Sequence, residues 1–196
     1  MAALTYERAQ EILFRHLHSK KMLRHSFSVA VAMAEAAKDL GEDADLWEAV
    51  SLIHDVDFEE FPEAEHCQHL REVLEPEGVD EWMIVSLGRH GYDRYPVTPP
   101  VTLYERVLCA TDRLCWVAVA AARRREDVGE NLTVEETLAL LKDPDFDAKF
   151  DSAHVYRDVG RYEFPLEQVA DWAVRGVRKY AHEIAECRIE RKREAD

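Results

Sequence analysis

Residues 103–123 of the chain read LYERVLCATDRLCWVAVAAAR. The stretch follows a rigid proline-rich loop, Tyr95–Pro100, and reads as one long helix in a chain that only seven Gly and seven Pro punctuate. One residue inside it is out of keeping. Asp112 has Leu108, Cys109, Cys115 and Trp116 at i−4, i−3, i+3 and i+4, so its carboxylate leaves the helix on an apolar stripe. An ionised carboxylate there is too costly to keep unless it meets a cation, a hydrogen-bond donor or a metal. Arg113 is not expected to serve, because adjacent helical residues point about 100° apart. That leaves an Arg or Lys from another helix, or a metal ion.

Helical spacing extends outward from this stretch over nearly the whole sequence. Leu4, Ile12, Leu13 and Leu17 trace a first helix behind Thr5 as N-cap, and Val29, Met33, Ala36, Ala37 and Leu40 a second, stopped by Gly41. A third follows Asp43, with Leu46, Ala49, Val50 and Ile53 on one face. A fourth is expected over Ala64–Leu74 between Pro62 and Pro76, and a fifth over Glu81–Leu87 with Asp80 as its cap. Thr133 and Glu136 form a capping box that opens a short helix to Leu141. Asp143–Phe164 reads as a short helix with loops, and Pro165 suits the first turn of a final helix. Its charged end, Arg188–Asp196, is expected to fray. No repeat or strand pattern stands out, and the expected fold is an all-α, single-domain helical bundle over residues 1–187.

At 196 residues the chain fits one domain, and at 47% hydrophobic it can bury a core. With 25 Lys+Arg against 40 Asp+Glu the formal net charge is 25 − 40 = −15, which argues against a surface that grips a nucleic-acid polymer or an anionic membrane. Cys67, Cys109, Cys115 and Cys187 form no CxxC pair, as expected of a reduced, cytoplasmic setting. The longest apolar run, Cys115–Ala122, is far short of the ~18 residues of a membrane span, and no secretory signal opens the sequence.

Nine histidines are present. His25 lies near the start of the second helix, His54 and Asp55 at the end of the third, His66 and His69 three apart on one face at the start of the fourth, and His90 at the end of the fifth. An antiparallel bundle brings such positions together in its core. Taken singly, each has an ordinary reading: His25 as a core histidine, His90 as a complement to a helix dipole, His66 and His69 as rivals for one position. His16, His18, His154 and His182 fit no pattern and read as surface or supporting residues.

Taken in order, His25, His54-Asp55, His66, His90 and Asp112 resemble the HD-domain superfamily of metal-dependent phosphohydrolases. The run Leu52-Ile53-His54-Asp55-Val56-Asp57-Phe58-Glu59, with Pro62 and His66 after it, is similar to a bacterial and archaeal subgroup of predicted HD hydrolases. Ala110-Thr111-Asp112-Arg113-Leu114 stands where that family has its final Asp. The resemblance covers about residues 20–125; residues 130–187 share only the helical pattern.

The resemblance implies that His25, His54, Asp55 and Asp112 are metal ligands, that His66 and His90 hold a second ion, and that Asp55 bridges the two. Imidazole and carboxylate suit one or two divalent transition metals (Fe, Mn, Co, Ni or Zn), and no Cys falls in the pattern to favour thiolate. Asp57 is a candidate general base or an orienter of a ligand histidine. Arg89 and Arg94, around the loop with Tyr92 and Tyr95, are candidates to bind substrate phosphate, or else pair with the excess carboxylates. Glu59, Glu60, Glu63 and Glu65 are expected to form a solvated edge. Arg123-Arg124-Arg125 is expected to complement the end of the long helix, too far from the metals to meet substrate. The implied activity is hydrolysis of a small phosphorylated metabolite, a nucleotide among the candidates. The same ligand order also serves di-iron oxygenases of the superfamily, and a non-catalytic metal-binding regulatory module could retain it.

Overall fold

A computed structural model describes residues 4–125, 127, 129–150 and 152–194, with side chains to Tyr180 except those of 148–150 and 158. Among these residues the chain forms ten α-helices: α1 (Tyr6–His16), α2 (Lys20–Leu40), α3 (Ala44–Leu52), α4 (Leu70–Leu74), α5 (Glu81–Gly88), α6 (Leu103–Ala122), α7 (Val134–Leu140), α8 (Pro144–Phe150), α9 (Ser152–Arg161) and α10 (Leu166–Glu194). A single 3-10 turn, Glu63–Glu65, precedes α4, and the described residues contain no strand, only one bridge between Tyr92 and Tyr95. The fold is all-α.

Local chemistry sets most helix boundaries. The side chains of Thr5, Ser19 and Asp43 accept the backbone N–H of Arg8, Met22 and Leu46, which satisfies donors that the first turns leave open. Thr102 with Glu105, and Thr133 with Glu136, close reciprocal capping boxes on α6 and α7. Gly41, at φ 78°, ends α2 in the left-handed conformation. Asp80 occupies the position before α5, but its side chain makes no capping hydrogen bond there.

Helix α2 is the axis of the bundle and packs against α3, α6 and α10. From His25 to Ala34 every residue is buried, so the helix is enclosed on all sides. Small residues allow this. A Cβ on Gly176 of α10 would lie 2.5 Å from the Ser28 carbonyl oxygen of α2. Trp172, Phe27, Ile12 and Leu108 are fully buried around this axis, each worth roughly 1.5–3 kcal/mol against exposure.

Three stretches depart from the sequence expectation. The fourth helix is confined to Leu70–Leu74, and Asp143–Phe164 holds two short helices instead of one. The backbone of α10 continues through Arg188 to Glu194. The side chains of His182 and Cys187, and residues 195–196 of the charged end, lie outside the described residues. Among the described residues no helix is long and apolar enough to cross a membrane.

Candidate metal centre

Helices α2 and α6 cross at the buried His25 and Asp112, where His25 Nε2 lies 2.7 Å from Asp112 Oδ1. Helix α3 stops at Leu52, and the chain then leaves it through tight turns that carry His54 and Asp55 into the same place. His54 Nε2 is 3.2 Å from His25 Nε2 and 3.2 Å from Asp55 Oδ2. Asp55 Oδ2 is also 3.4 Å from His25 Nε2. The other oxygen of the same carboxylate faces a second group: Asp55 Oδ1 is 3.1 Å from His66 Nε2 and 3.2 Å from His90 Nε2. These two rings bring their Nε2 atoms to 3.2 Å. All six side chains are buried, none more than 5% exposed. One carboxylate therefore stands between two sets of donors.

The donor set fits divalent cations. The Nδ1 of His54 lies 2.8 Å from the Ser51 carbonyl and that of His90 2.7 Å from the Leu87 carbonyl. A carbonyl only accepts, so both Nδ1 atoms carry the proton and both Nε2 atoms present a lone pair. Facing lone pairs require something positive between them. Ligand atoms around a metal with bonds of about 2.0–2.2 Å stand about 3.0–3.4 Å apart, the spacing found here.

The electrostatics agree. Although burial pushes both carboxyls up, the charge and hydrogen bonds of His54, His66 and His90 hold Asp55 well below the ordinary range, and hydrogen bonds from His25 and His54 do the same for Asp112. Burial lowers His54, but Asp55 and Asp112 overcome it and push it up to about 9. His66 and His90 are raised too, against the same burial: His66 by hydrogen bonds to Asp55 and Asp57, and His90 by the charge of Cys67 and a hydrogen bond to Asp55. Only His25 goes down, because its burial outweighs Asp112 and Asp55. The cluster thus attracts positive charge strongly, whether as protons or as metal.

Asp57 is fully buried and does not line the cavity that opens onto the cluster. It accepts the His66 Nδ1–H at 2.9 Å and the Cys67 backbone N–H at 2.7 Å. Of the two roles expected for it, the geometry supports orienting a histidine and not acting as a base on substrate. His66 and His69 do not share a helical face. The backbone is extended at His66 (φ −52°, ψ 145°) and left-handed at Cys67 (φ 68°), which sends the two rings apart. His69 stacks on Phe61 at 3.9 Å and pairs with Glu65.

Cys67 is the residue that sequence spacing did not find. Its Sγ lies 3.5 Å from Nε2 and 3.7 Å from Nδ1 of His90, against the ring, and it belongs to a buried His66–Cys67–His90 group able to hold a metal. Burial raises this thiol, but the neighbouring charge of His90 and hydrogen bonds from His66 and His90 bring it below its ordinary value. A helix over Ala64–Leu74 would have turned Cys67 away from His66; its adjacency to that histidine was the available signal.

A cavity of about 910 Å³ reaches the cluster, with Asp55, His66, His90 and Asp112 at its inner end. Phe58, Tyr95 and Trp116 form aromatic walls; Trp116 stacks on His25 at 4.0 Å and Tyr95 stands edge-on to His66 at 5.2 Å.

The arginines divide differently from expectation. Arg89 does not line the cavity: its Nη1 donates to both Glu105 oxygens (2.9 and 3.0 Å) and its Nε to Thr98, a structural ion pair beneath α6. Arg94 lines the cavity, with its guanidinium 5.9 Å from the Tyr95 ring centre. Arg113 does reach its neighbour, because its long side chain bends back to place Nη1 3.2 Å from Asp112 Oδ2, and it too lines the cavity. Arg124 and Arg125 pair with Asp143 and Asp127, while Arg123 faces the cavity. The acidic run is not merely solvated: Glu59 accepts the backbone N–H of His18 and Ser19 at the α1–α2 junction, and Glu60 pairs with His16.

No curated protein and no solved structure matches the chain. The HD domain family model matches residues 22–116, a span that begins three residues before His25, ends four after Asp112, and so encloses all six clustered side chains. Residues 22–116, just under half of the chain, are thus similar to the HD-domain family.

Proposed function

We propose that the protein is a metal-dependent phosphohydrolase that cleaves the ester of a small phosphorylated metabolite, nucleotides included. The observation that carries this is the Asp55 carboxylate, whose two oxygens each face two imidazole Nε2 atoms at 3.1–3.4 Å at the inner end of a cavity. His25, His54 and Asp112 would hold one divalent ion, His66 and His90 a second, with Asp55 between them; the candidates are Fe, Mn, Co, Ni and Zn. Bound there, such ions supply Lewis acidity and an activated water.

The remaining work falls to the chain. Hydrogen bonds from Nδ1 to Ser51, Leu87 and Asp57 fix the rings of His54, His90 and His66, so that each Nε2 stays free to coordinate. Arg113 and Arg94, both lining the cavity, offer guanidinium donors to phosphate oxygens. Phe58 and Tyr95 stand edge-on to the His66 ring and shield it from water.

Replacing Asp112 with Ala tests the proposal. Elemental analysis of the purified variant should show the loss of at least one ion per chain, and phosphate release from p-nitrophenyl phosphate should fall at least about a hundredfold. Full metal content in a folded variant would refute the assignment.

A further inference from the structure

The protein carries a formal charge of −15, yet its cavity is lined by cations. Lys20, Lys21 and Arg24 from the start of α2, Arg94 from the proline-rich loop, and Arg113 and Arg123 of α6 and its end supply +6. Asp55, Glu63 and Asp112 supply −3. The lining is therefore +3 before any metal binds, and the rest of the chain is −15 − 3 = −18. With carboxylates in such excess, surface cations ordinarily find partners, as Arg124, Arg125 and Arg175 do. Lys20, Lys21, Arg24, Arg94 and Arg123 have no carboxylate partner among the described residues, and the Nε of Arg24 is buried without any acceptor. A buried donor left open is costly, and five uncompensated cations around one cavity repel one another.

Position sharpens the point. Asp112, Trp116, Val119, Ala120 and Arg123 all line the cavity and lie at i, i+4, i+7, i+8 and i+11 of one helical stripe. At 1.5 Å per residue Arg123 is about 16 Å along the helix from Asp112, less the reach of its side chain, which leans back toward the helix start. Lys21 from α2 meets the same stripe, its Nζ 4.9 Å over the Trp116 ring. Between the metal end and Arg123 the wall is apolar and aromatic, Trp116, Val119 and Ala120, and Phe146 also lines the cavity.

We propose that this cavity takes a doubly phosphorylated small molecule: one phosphate at the metal end beside Arg113 and Arg94, its carbon or base framework along Trp116 and Phe146, and a second phosphate held by Lys20, Arg24 and Arg123. The inference rests on the phosphohydrolase reading for its metal end alone; the second anion site stands on the unpaired cations.

Binding of non-hydrolysable ligands tests it independently of turnover. Octane-1,8-bisphosphonate and octylphosphonate, titrated calorimetrically into the Mn(II)-loaded chain, share an apolar body and differ in the second anion. The bisphosphonate should bind about tenfold more tightly. A Lys20→Ala/Arg123→Ala variant, altered at two exposed side chains and checked for equal Mn(II) content, should bind both ligands alike. Equal affinities in the natural chain, or a preference that survives in the variant, would overturn the proposal. Hydrolysis of test esters bears only on the phosphohydrolase reading: a bisphosphonate preference without turnover would sink that reading and keep the second anion site.

Discussion

Replacing Asp57 with Asn changes no volume in the core but forces a choice of hydrogen bonds. The native carboxylate accepts two, from His66 Nδ1 at 2.9 Å and from the Cys67 N–H at 2.7 Å. Asparagine offers one acceptor and one donor. If its oxygen stays with the Cys67 N–H, its amide faces His66 Nδ1, which must then give up its proton to Nε2, the atom aimed at Asp55. If the amide turns round, its NH2 meets the Cys67 N–H in a buried site at a cost of about 1–3 kcal/mol. Either way the His66–His90 set loses a ready lone pair or its orientation. Such supporting hydrogen bonds are worth about 10–100-fold in metal affinity, or about 1.4–2.7 kcal/mol. Equilibrium dialysis against Mn(II) should resolve this as a weakening of one class of site, with the class built on His25, His54 and Asp112 holding its affinity. Superimposable isotherms for the two proteins would refute the positioning role. Equal weakening of both classes would refute the separate wiring of the two donor sets.

Two further substitutions probe the scaffold. Glu105 lies below its ordinary value of 4.5, because backbone N–H groups of Thr102 and Val101, with Arg89 and Ser86, outweigh the upward push of burial. A depressed carboxyl stabilises the fold above its unfolded value and loses that contribution as pH falls through its folded value. Glu105→Gln should thus cost about 2–4 kcal/mol at neutral pH, in urea unfolding, and the gap should close below pH 4.5; a gap constant with pH would count against it. Gly176→Ala places a Cβ 2.5 Å from the Ser28 carbonyl oxygen and 3.0 Å from Ala32 N, so α10 must move off α2. A cost of about 2 kcal/mol, seen as a fall in Tm of about 4–8 °C, is expected, and an unchanged Tm would contradict the close approach.

What was legible in the sequence was whatever local chemistry writes there. Helices α1, α3 and α7 begin at side chains that cap them, and His25, His54, His90 and Asp112 sit on or just beyond a helix whose apolar face fixes their direction. Periodicity failed between Pro62 and Leu70, where a single left-handed residue, Cys67, breaks the helical register and reassigns every side chain around it. Long side chains were the other blind spot. Arg113 reached its neighbour by bending, and Arg89 was taken by Glu105, sixteen residues further along. Spacing rules describe where a Cβ points, and a guanidinium ends several bonds beyond it. The charge of −15 likewise hid a basic cavity, because a sum over the chain carries no spatial information.

The shared position of Asp55 has a consequence for how this site can change over evolutionary time. The His54 and His90 rings stand edge-on at 5.0 Å, but among the polar contacts between the donor atoms themselves the two sets meet only at Asp55: Oδ2 belongs to the His25–His54 side, Oδ1 to the His66–His90 side. In the language of networks Asp55 is the cut vertex of those donor-atom contacts. A lineage that loses His66 or His90 keeps an intact half and can drift toward single-ion chemistry by small steps. One that loses Asp55 severs both halves at once, and no second substitution at any single position repairs them. The pattern of permitted loss is thereby set by the two oxygens of one side chain, and the residue least replaceable here is the one through which both halves pass.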